Sequence, residues 1–333
     1  IMNKIKVAIN GFGRIGRSTA KLMLQNESIQ IVAINDLTDN GTLCNLFKYD
    51  SVHGKFNGTV TSDDNSVTIN GDKITVSSEK DPEKLPWKSL GVDVVIESTG
   101  HFRTPELANK HIIAGAKKVI LSAPAKSGNV KTVVMGVNES ILDGSETVIS
   151  NASCTTNCAA PMIKIIDDLC EIQHGFLSTI HSYTSIQNLH DGPHKDLRRG
   201  RAATLSIIPT TTGAATAVTE IFTHLEGKIA GSANRVPVPD GSLTELVLTV
   251  KNNKSVEEIN AAFKKASESN MKHILDYNVD PIVSIDIVGN ESSCIFDSTL
   301  TQVLENTIKI AGWYDNEIGY SSRLVDLVVF VSK

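Results

Sequence analysis

The stretch Asn10-Gly11-Phe12-Gly13-Arg14-Ile15-Gly16 constrains the fold more than any other part of the chain. It follows an apolar run, Ile5–Asn10 (IKVAIN), that reads as a buried strand, and it opens a helical pattern over Arg14–Gln25. A G-x-G-x-x-G sequence alone is weak evidence. Between a strand and a helix it reads as the turn of a dinucleotide-binding βαβ unit. Gly11 then permits the tight turn, Gly13 lets backbone approach a pyrophosphate, and Gly16 lets helix and strand pack closely. The helix N-terminus adds unpaired N–H donors and a partial positive charge. A second apolar run, Ile29–Asn35, leads into Asp36, 20 residues past Gly16. An acid there accepts hydrogen bonds from the adenosine ribose and repels a 2′-phosphate, which favours NAD over NADP. The plainer alternative is a glycine-rich turn with an incidental aspartate.

With 333 residues, two domains are expected. Val92–Ile96 and Lys118–Leu121 are further candidate strands, so the first half reads as α/β with a parallel sheet and right-handed crossovers. Ser66–Ile69 and Lys73–Val76 flank Asn70-Gly71, a hairpin signal. The second half differs. A helical pattern runs from Asn157 to Leu169, interrupted by Pro161, where a local distortion is expected. Strands follow at Phe176–His181, Leu243–Val250 and Thr307–Ala311. Val256–Ser267 reads as a helix capped by Ser255 and Glu258. This half reads as an α+β domain whose mixed sheet is largely antiparallel, with the boundary near Ser150–Ser153. The polar stretch Ser182–Arg201 is long enough to be functional or disordered. Glu317–Val331 reads as an amphipathic helix.

A net charge of −5 argues against nucleic acid or an anionic membrane as the main partner. No apolar stretch approaches the roughly 18 residues that span a bilayer, and no signal peptide is expected, so the reading is cytoplasmic. The five cysteines are irregularly spaced, which does not describe a disulfide framework.

Ser153-Cys154-Thr155-Thr156-Asn157 stands at the boundary, before the helical run. A helix N-terminus stabilises a thiolate. His181 lies 27 residues on, at a strand end; an imidazolium there would depress the thiol pKa further and could move a proton. Taken singly, Cys154 reads more plainly as an inert buried cysteine and His181 as a satisfied one. Cys158, one turn after Cys154, reads as packing and not as a zinc ligand. Arg198, Arg199 and Arg201, Thr210-Thr211-Thr212-Gly213 and Arg235 suit a phosphate site, or equally a solvated loop with surface ion pairs.

Together these segments resemble one family. Ser153–Asn157 (SCTTN), His181–Thr184 (HSYT), Thr212–Ala215 (TGAA), Asn234–Pro237 (NRVP) and Trp313–Tyr320 (WYDNEIGY), with the N-terminal NGFGRIG, resemble phosphorylating glyceraldehyde-3-phosphate dehydrogenases over nearly the whole chain. Pro193–Arg199 (PHKDLRR) is similar to bacterial members. The resemblance implies an NAD-dependent, glycolytic oxidoreductase with a Rossmann domain (1–152 plus 317–333) and a catalytic domain (153–316). It implies that Cys154 attacks the aldehyde, that His181 moves the proton, and that inorganic phosphate releases 1,3-bisphosphoglycerate from the thioester. Ser153, Thr155, Thr184, Arg199, Thr212, Gly213 and Arg235 would hold phosphate groups. Asn10, Gly11, Phe12, Gly13, Arg14, Ile15, Asp36, Lys80, Ser122, Asn316 and Tyr320 would hold NAD. A cytoplasmic homotetramer is implied, with Ser182–Arg201 at an interface. Two departures stand out: Lys80 where many members carry arginine, and Gly192-Pro193 where strictly NAD-using bacterial members often have Leu-Pro, which leaves room for some NADP use. The alternatives are erythrose-4-phosphate dehydrogenase and a non-catalytic nucleotide-binding, RNA-binding or adhesion role.

Overall fold

The structure is a computed structural model that describes residues 4–333. Residues up to Val133, Glu139–Ala152 and Ser321–Lys333 form one compact unit. Val134–Asn138 and Ser153–Tyr320 form the other.

The first unit runs β1 (Ile5–Asn10), α1 (Arg14–Met23), β2 (Ile29–Asn35), α2 (Asn40–Lys48) and a short ribbon of β3 (Tyr49–Asp50) and β4 (Gly54–Lys55). It continues through β5 (Val60–Asp63), β6 (Ser66–Ile69), β7 (Asp72–Ser77), α3 (Trp87–Leu90), β8 (Val94–Glu97) and α4 (Pro105–Ile113). Last come β9 (Lys118–Leu121), β10 (Lys131–Thr132) and β11 (Val148–Ser150). The sheet order is β10-β11-β9-β8-β1-β2-β7-β6-β5. Pairs from β10 to β7 are parallel, and the β5–β6–β7 edge is antiparallel. Val7, Ala8 and Ile9 are fully buried on consecutive positions, as a central parallel strand covered on both faces requires. The strand expected from Val92 begins at Val94. Gly91 ends α3 in the left-handed region and Val92 N–H bonds back to Trp87 O, so Val92 belongs to the turn.

The chain leaves β1 toward β2 on one side and later returns to β8 on the other. This reversal opens a crevice at the carboxyl ends of the strands. Gly11 (φ +92) makes the turn there, and a side chain on it would strike Thr99 N at 2.7 Å. A Cβ on Gly16 would sit against Gly11's carbonyl oxygen and 3.2 Å from Ile9 Cγ2. Gly16→Ala is therefore expected to cost about 1–3 kcal/mol in chemical denaturation. An unchanged midpoint would show that helix and strand need not approach so closely.

The second unit runs α5 (Cys154–Cys170), β12 (Ile172–Ser182), β13 (Ile208–Thr210), α6 (Ala214–Ile221), β14 (Ile229–Val236), β15 (Ser242–Val250), α7 (Val256–Glu268), β16 (Leu275–Asn278), β17 (Cys294–Asp297), β18 (Gln302–Leu304) and β19 (Thr307–Tyr314). Its sheet order is β13-β14-β12-β15-β19-β17-β16, mixed and mostly antiparallel. One face is covered: Ile163 and Ile166 of α5, Val218 of α6 and Phe263 of α7 share a core with Leu246, Leu248 and Phe296 of the strands. On the other face Phe176 and Val247, register partners on β12 and β15, are exposed. The capping box at Ser255 and Glu258 forms as expected. α5 passes through Pro161 without a break, since the ring removes one rung from a 17-residue buried helix.

The last helix, α8 (Ile318–Val331), is not amphipathic in its setting. Ser321–Val325 are buried in succession, so its environment is apolar on more than one side. Periodicity reports the side-chain pattern, not how many sides have neighbours.

Candidate active site

In the first unit a cavity of about 510 Å³ lies at the crevice. Asn10, Gly11, Gly13, Asp36 and Lys80 line it, as the sequence suggests. Asn35, Glu79, Ser98, Thr99 and Phe102 line it as well. Nothing lies within 4 Å of where a Gly13 side chain would begin, so the backbone at the start of α1 is open to a ligand. A dinucleotide fits this donor set: a bare glycine turn at a helix N-terminus for the pyrophosphate and a carboxylate at the end of β2 for the ribose. Asp36 is already engaged, its Oδ2 accepting from Phe12 N at 2.7 Å and its Oδ1 from Thr38 N at 2.9 Å.

Of the residues of this unit named for the cofactor, four lie outside the lining. Phe12 is buried and stacks on Phe47, so only its backbone faces the turn. Arg14 is bound to Asp50 at 3.0 Å. Ile15 and Ser122 do not reach the cavity; Ser122 N–H is donated to Glu97 O. Motif matching marks a segment, whereas helical geometry decides which of its atoms face a ligand.

A buried polar network that sequence reading missed underlies the cavity. Asn35 Nδ2 donates to Asn10 Oδ1, and Asn10 Nδ2 donates to Glu97 Oε2. Trp87 Nε1 donates to His111 Nδ1, which leaves the His111 Nε2 proton for Glu97. Glu97 Oε1 accepts from Thr99 N on the rim. The one available signal was an acid, Glu97, ending an apolar strand.

In the second unit Ser153 caps α5, its Oγ accepting from Thr156 N, and Cys154 is the first helical residue. His181 lies near the end of β12 and presents Nε2 to Cys154 Sγ at 3.4 Å. Arg235 is the register partner of His181 on β14, so both side chains share one sheet face. Its Nη1 lies 2.6 Å from His181 Nδ1 and 2.8 Å from Ser182 O. The Tyr314 ring meets His181 edge-on, while its hydroxyl bonds Thr155 and Thr179.

Burial pushes the Cys154 thiol up to about 11, against the pull of the Arg235 guanidinium. Burial also takes His181 down to about 3, and Arg235 adds to that. A thiol lowered by a helix end and an imidazolium, as expected from sequence, then depends on both charges forming together. Each charge alone must leave water, and that penalty exceeds the helix-end contribution of about 1 kcal/mol. Proton transfer from sulfur to Nε2 would create both charges together, 3.4 Å apart, where they attract.

The other polar residues gather in the same unit. Arg199 Nε donates to Thr210 Oγ1 at 2.7 Å, and Thr212 Oγ1 accepts from Ala214 N. Gly213 begins α6 with open space at its Cα. Thr184 Oγ1 is buried without a hydrogen-bond partner. Thr155 is held by Tyr314 and is buried. Asn316 Oδ1 accepts from both Ser182 Oγ and Ser242 Oγ, which leaves its amide NH2 for another partner. Tyr320 is buried. All five cysteines are free. Among the described residues no helix is long and apolar enough to cross a membrane.

Residues 153–316 match the family model described as glyceraldehyde 3-phosphate dehydrogenase, C-terminal domain. Residues 5–105 match its NAD binding domain. Glyceraldehyde-3-phosphate dehydrogenase 2 of Streptomyces avermitilis is 54% identical over 330 residues, covering 98% of both chains. Glyceraldehyde-3-phosphate dehydrogenase of Clostridium acetobutylicum is 51% identical over 334 residues, again with 98% of both covered. Glyceraldehyde-3-phosphate dehydrogenase 1 of Bacillus subtilis is 50% identical, over 99% of this chain and 98% of its own.

Proposed function

The chain belongs to the glyceraldehyde 3-phosphate dehydrogenase family, and from that premise we propose that Cys154 and His181 carry the oxidation of D-glyceraldehyde 3-phosphate to 1,3-bisphosphoglycerate. It is an NAD-dependent oxidoreductase of glycolysis, and neither erythrose-4-phosphate oxidation nor a non-catalytic role is favoured. The observation that carries the residue assignment is the 3.4 Å approach of Cys154 Sγ to His181 Nε2 at the start of α5.

The sulfur adds to the aldehyde carbon, and the thiol proton passes to His181 Nε2. The Cys154 N–H, unpaired at the helix start, faces the oxyanion that forms. His181 returns that proton to the oxyanion, which gives the thiohemiacetal hydroxyl, and as a neutral base removes it again as the C–H bond breaks. NAD, when bound, supplies the hydride acceptor. The product is a thioester on Cys154. A phosphate oxygen attacks its carbonyl carbon, the C–S bond breaks, and the thiolate is restored with the acyl phosphate released. Arg199, Arg235, Thr184, Ser153, Thr155, Thr212 and Gly213 hold the two phosphate groups, cations for charge and hydroxyls and N–H for orientation. Asn10, Gly11, Gly13, Asp36 and Lys80 hold the cofactor, with backbone of Phe12, Arg14 and Ile15, and with Ser122. Asn316 offers its free NH2 to the carboxamide, and Tyr320 joins the same set. The two compact units and the bounds of the family models support 1–152 plus 317–333 as the NAD-binding domain and 153–316 as the catalytic one.

Assembly as a cytoplasmic homotetramer belongs to the same proposal. Ile186, Leu189, Leu197, Leu205 and Ile207 are exposed within one segment, and so is Phe176 on the open sheet face. These exposed apolar side chains support a protein–protein contact there.

The test is NADH formation from glyceraldehyde 3-phosphate with inorganic phosphate, repeated with NADP and with erythrose 4-phosphate. Rapid, phosphate-dependent turnover with NAD is expected. Equal NADH yield without phosphate or arsenate would replace the phosphorylating reaction with simple hydrolysis.

A further inference from the structure

The buried network beneath the dinucleotide cavity has a direction, and one residue sets it. The Glu97 carboxyl group is fully enclosed and meets four donors. Its Oε2 accepts from Asn10 Nδ2 at 2.6 Å and from His111 Nε2 at 3.1 Å. Its Oε1 accepts from Thr99 N at 2.9 Å and from the Thr99 hydroxyl. A carboxylate only accepts, so Asn10 must turn its amide nitrogen toward it. Asn10 Oδ1 then faces away and accepts from Asn35 Nδ2 at 2.7 Å. That leaves Asn35 Oδ1 for Glu79 N at 2.9 Å, while Asn35 Nδ2 also reaches Glu79 O at 2.8 Å. The Glu79 backbone demands the same orientation, an acceptor for its N–H and a donor for its C=O, so the two ends of the chain agree. Trp87, which can only donate, meets His111 Nδ1 at 3.0 Å and so keeps the imidazole proton on Nε2, facing Glu97.

We propose that Glu97 is a positioning residue for the dinucleotide, whose acceptor-only carboxylate fixes the walls of the cavity in two directions. The proposal rests on the assignment of that cavity to NAD given above. The Oε2 side leads to Asn10, Asn35 and Glu79, the Oε1 side leads to Thr99, and all four residues line the cavity. Asn35 precedes Asp36 and Glu79 precedes Lys80, so the clamp between them holds the backbone that carries both charged lining residues. Replacing one carboxyl oxygen by NH2 keeps the shape and breaks the direction. With the NH2 toward Asn10, two donors meet at 2.6 Å; Asn10 must flip, then Asn35, and Glu79 loses both bonds. With the NH2 toward Thr99, it meets the Thr99 N–H, also a donor, at 2.9 Å. Either way a wall of the cavity gives. Ligand then binds only the molecules that keep the competent wall, and the apparent affinity falls by that fraction. Cys154 and His181 belong to the other compact unit, so the chemical step at saturating cofactor is untouched.

The test compares variants of the full protein by titration calorimetry with ADP-ribose, the part of NAD that lacks nicotinamide, and by steady-state kinetics. Glu97→Gln is expected to weaken ADP-ribose binding about tenfold and to raise KM for NAD by a similar factor, the effect of one buried donor left without an acceptor. The kcat at saturating NAD and the KM for glyceraldehyde 3-phosphate should stay as in the wild type. Trp87→Phe removes the outermost donor but leaves the direction of the chain intact, so it should lower the melting temperature and keep wild-type affinity for ADP-ribose. Asn35→Ala cuts the same chain at its other end and should reproduce the loss of affinity. Wild-type affinity in Glu97→Gln overturns the proposal, and so does a loss that Trp87→Phe matches, which would mean general loosening. If Glu97→Gln does not fold, Asn35→Ala decides, and wild-type affinity there overturns the proposal equally. Asp36→Ala separates this from the assignment of the cavity. Unchanged ADP-ribose binding in Asp36→Ala would take the dinucleotide out of the cavity; weakened binding there with none lost in Glu97→Gln would keep the cavity and sink the positioning role.

Discussion

Cys154→Ser is expected to lower phosphate-dependent NADH formation at least about 10³-fold while NAD still binds. A hydroxyl at this position is a far weaker nucleophile than sulfur, because its conjugate base is much harder to form. Burial already pushes the thiol up to about 11, and a serine alkoxide would face the same desolvation from a higher start. The exchange removes little volume and keeps the Ser153 cap, so α5 should form as before. The glycine turn and Asp36 belong to the other compact unit, so the rise in melting temperature that NAD produces should be unchanged. Denatured protein would show neither transition nor NAD response, which separates misfolding from lost chemistry. Residual activity near the wild-type rate would remove Cys154 from the nucleophile's role.

His181→Asn is expected to lower kcat by about 10²–10⁴-fold and to move the thiol titration upward. With the imidazole gone, nothing 3.4 Å from sulfur can accept its proton. The remaining influences on the thiol are desolvation, which raises it, and Arg235, which lowers it. Without the ring no imidazolium can form beside a thiolate 3.4 Å away, so the titration should move upward and the pH–rate profile should shift with it. The asparagine amide can still meet Ser182 O, so the end of β12 should hold its place. A variant with wild-type pH dependence would show that the two side chains do not act together.

Much of the fold is legible from pattern. IKVAIN followed by glycines and a helical period is a local arrangement, and β1, the turn and α1 appear where that period puts them. The Asn70-Gly71 hairpin and the Ser255 cap are equally local. The failures are not local. Whether α8 is buried on one side or several depends on what surrounds it. The side chains of Phe12 and Arg14 turn away from the cavity because Phe47 and Asp50 offer them partners far along the chain. The thiol's desolvation was not legible because helix-end stabilisation can be read at Ser153–Cys154, whereas desolvation depends on every atom packed around the sulfur.

The sequence alone determined the dinucleotide turn, the helix start that bears Cys154, and the mixed second sheet, because each is written in residues a few positions apart. Only the tertiary structure decided that Cys154, His181, Arg235 and Tyr314 meet, with separations of 27 to 159 positions among the bonded contacts around them. Backbone propensity acts over one or two turns of chain, but protonation answers to charge and solvent within a few ångströms in space, and those neighbours come from strands that only folding brings side by side.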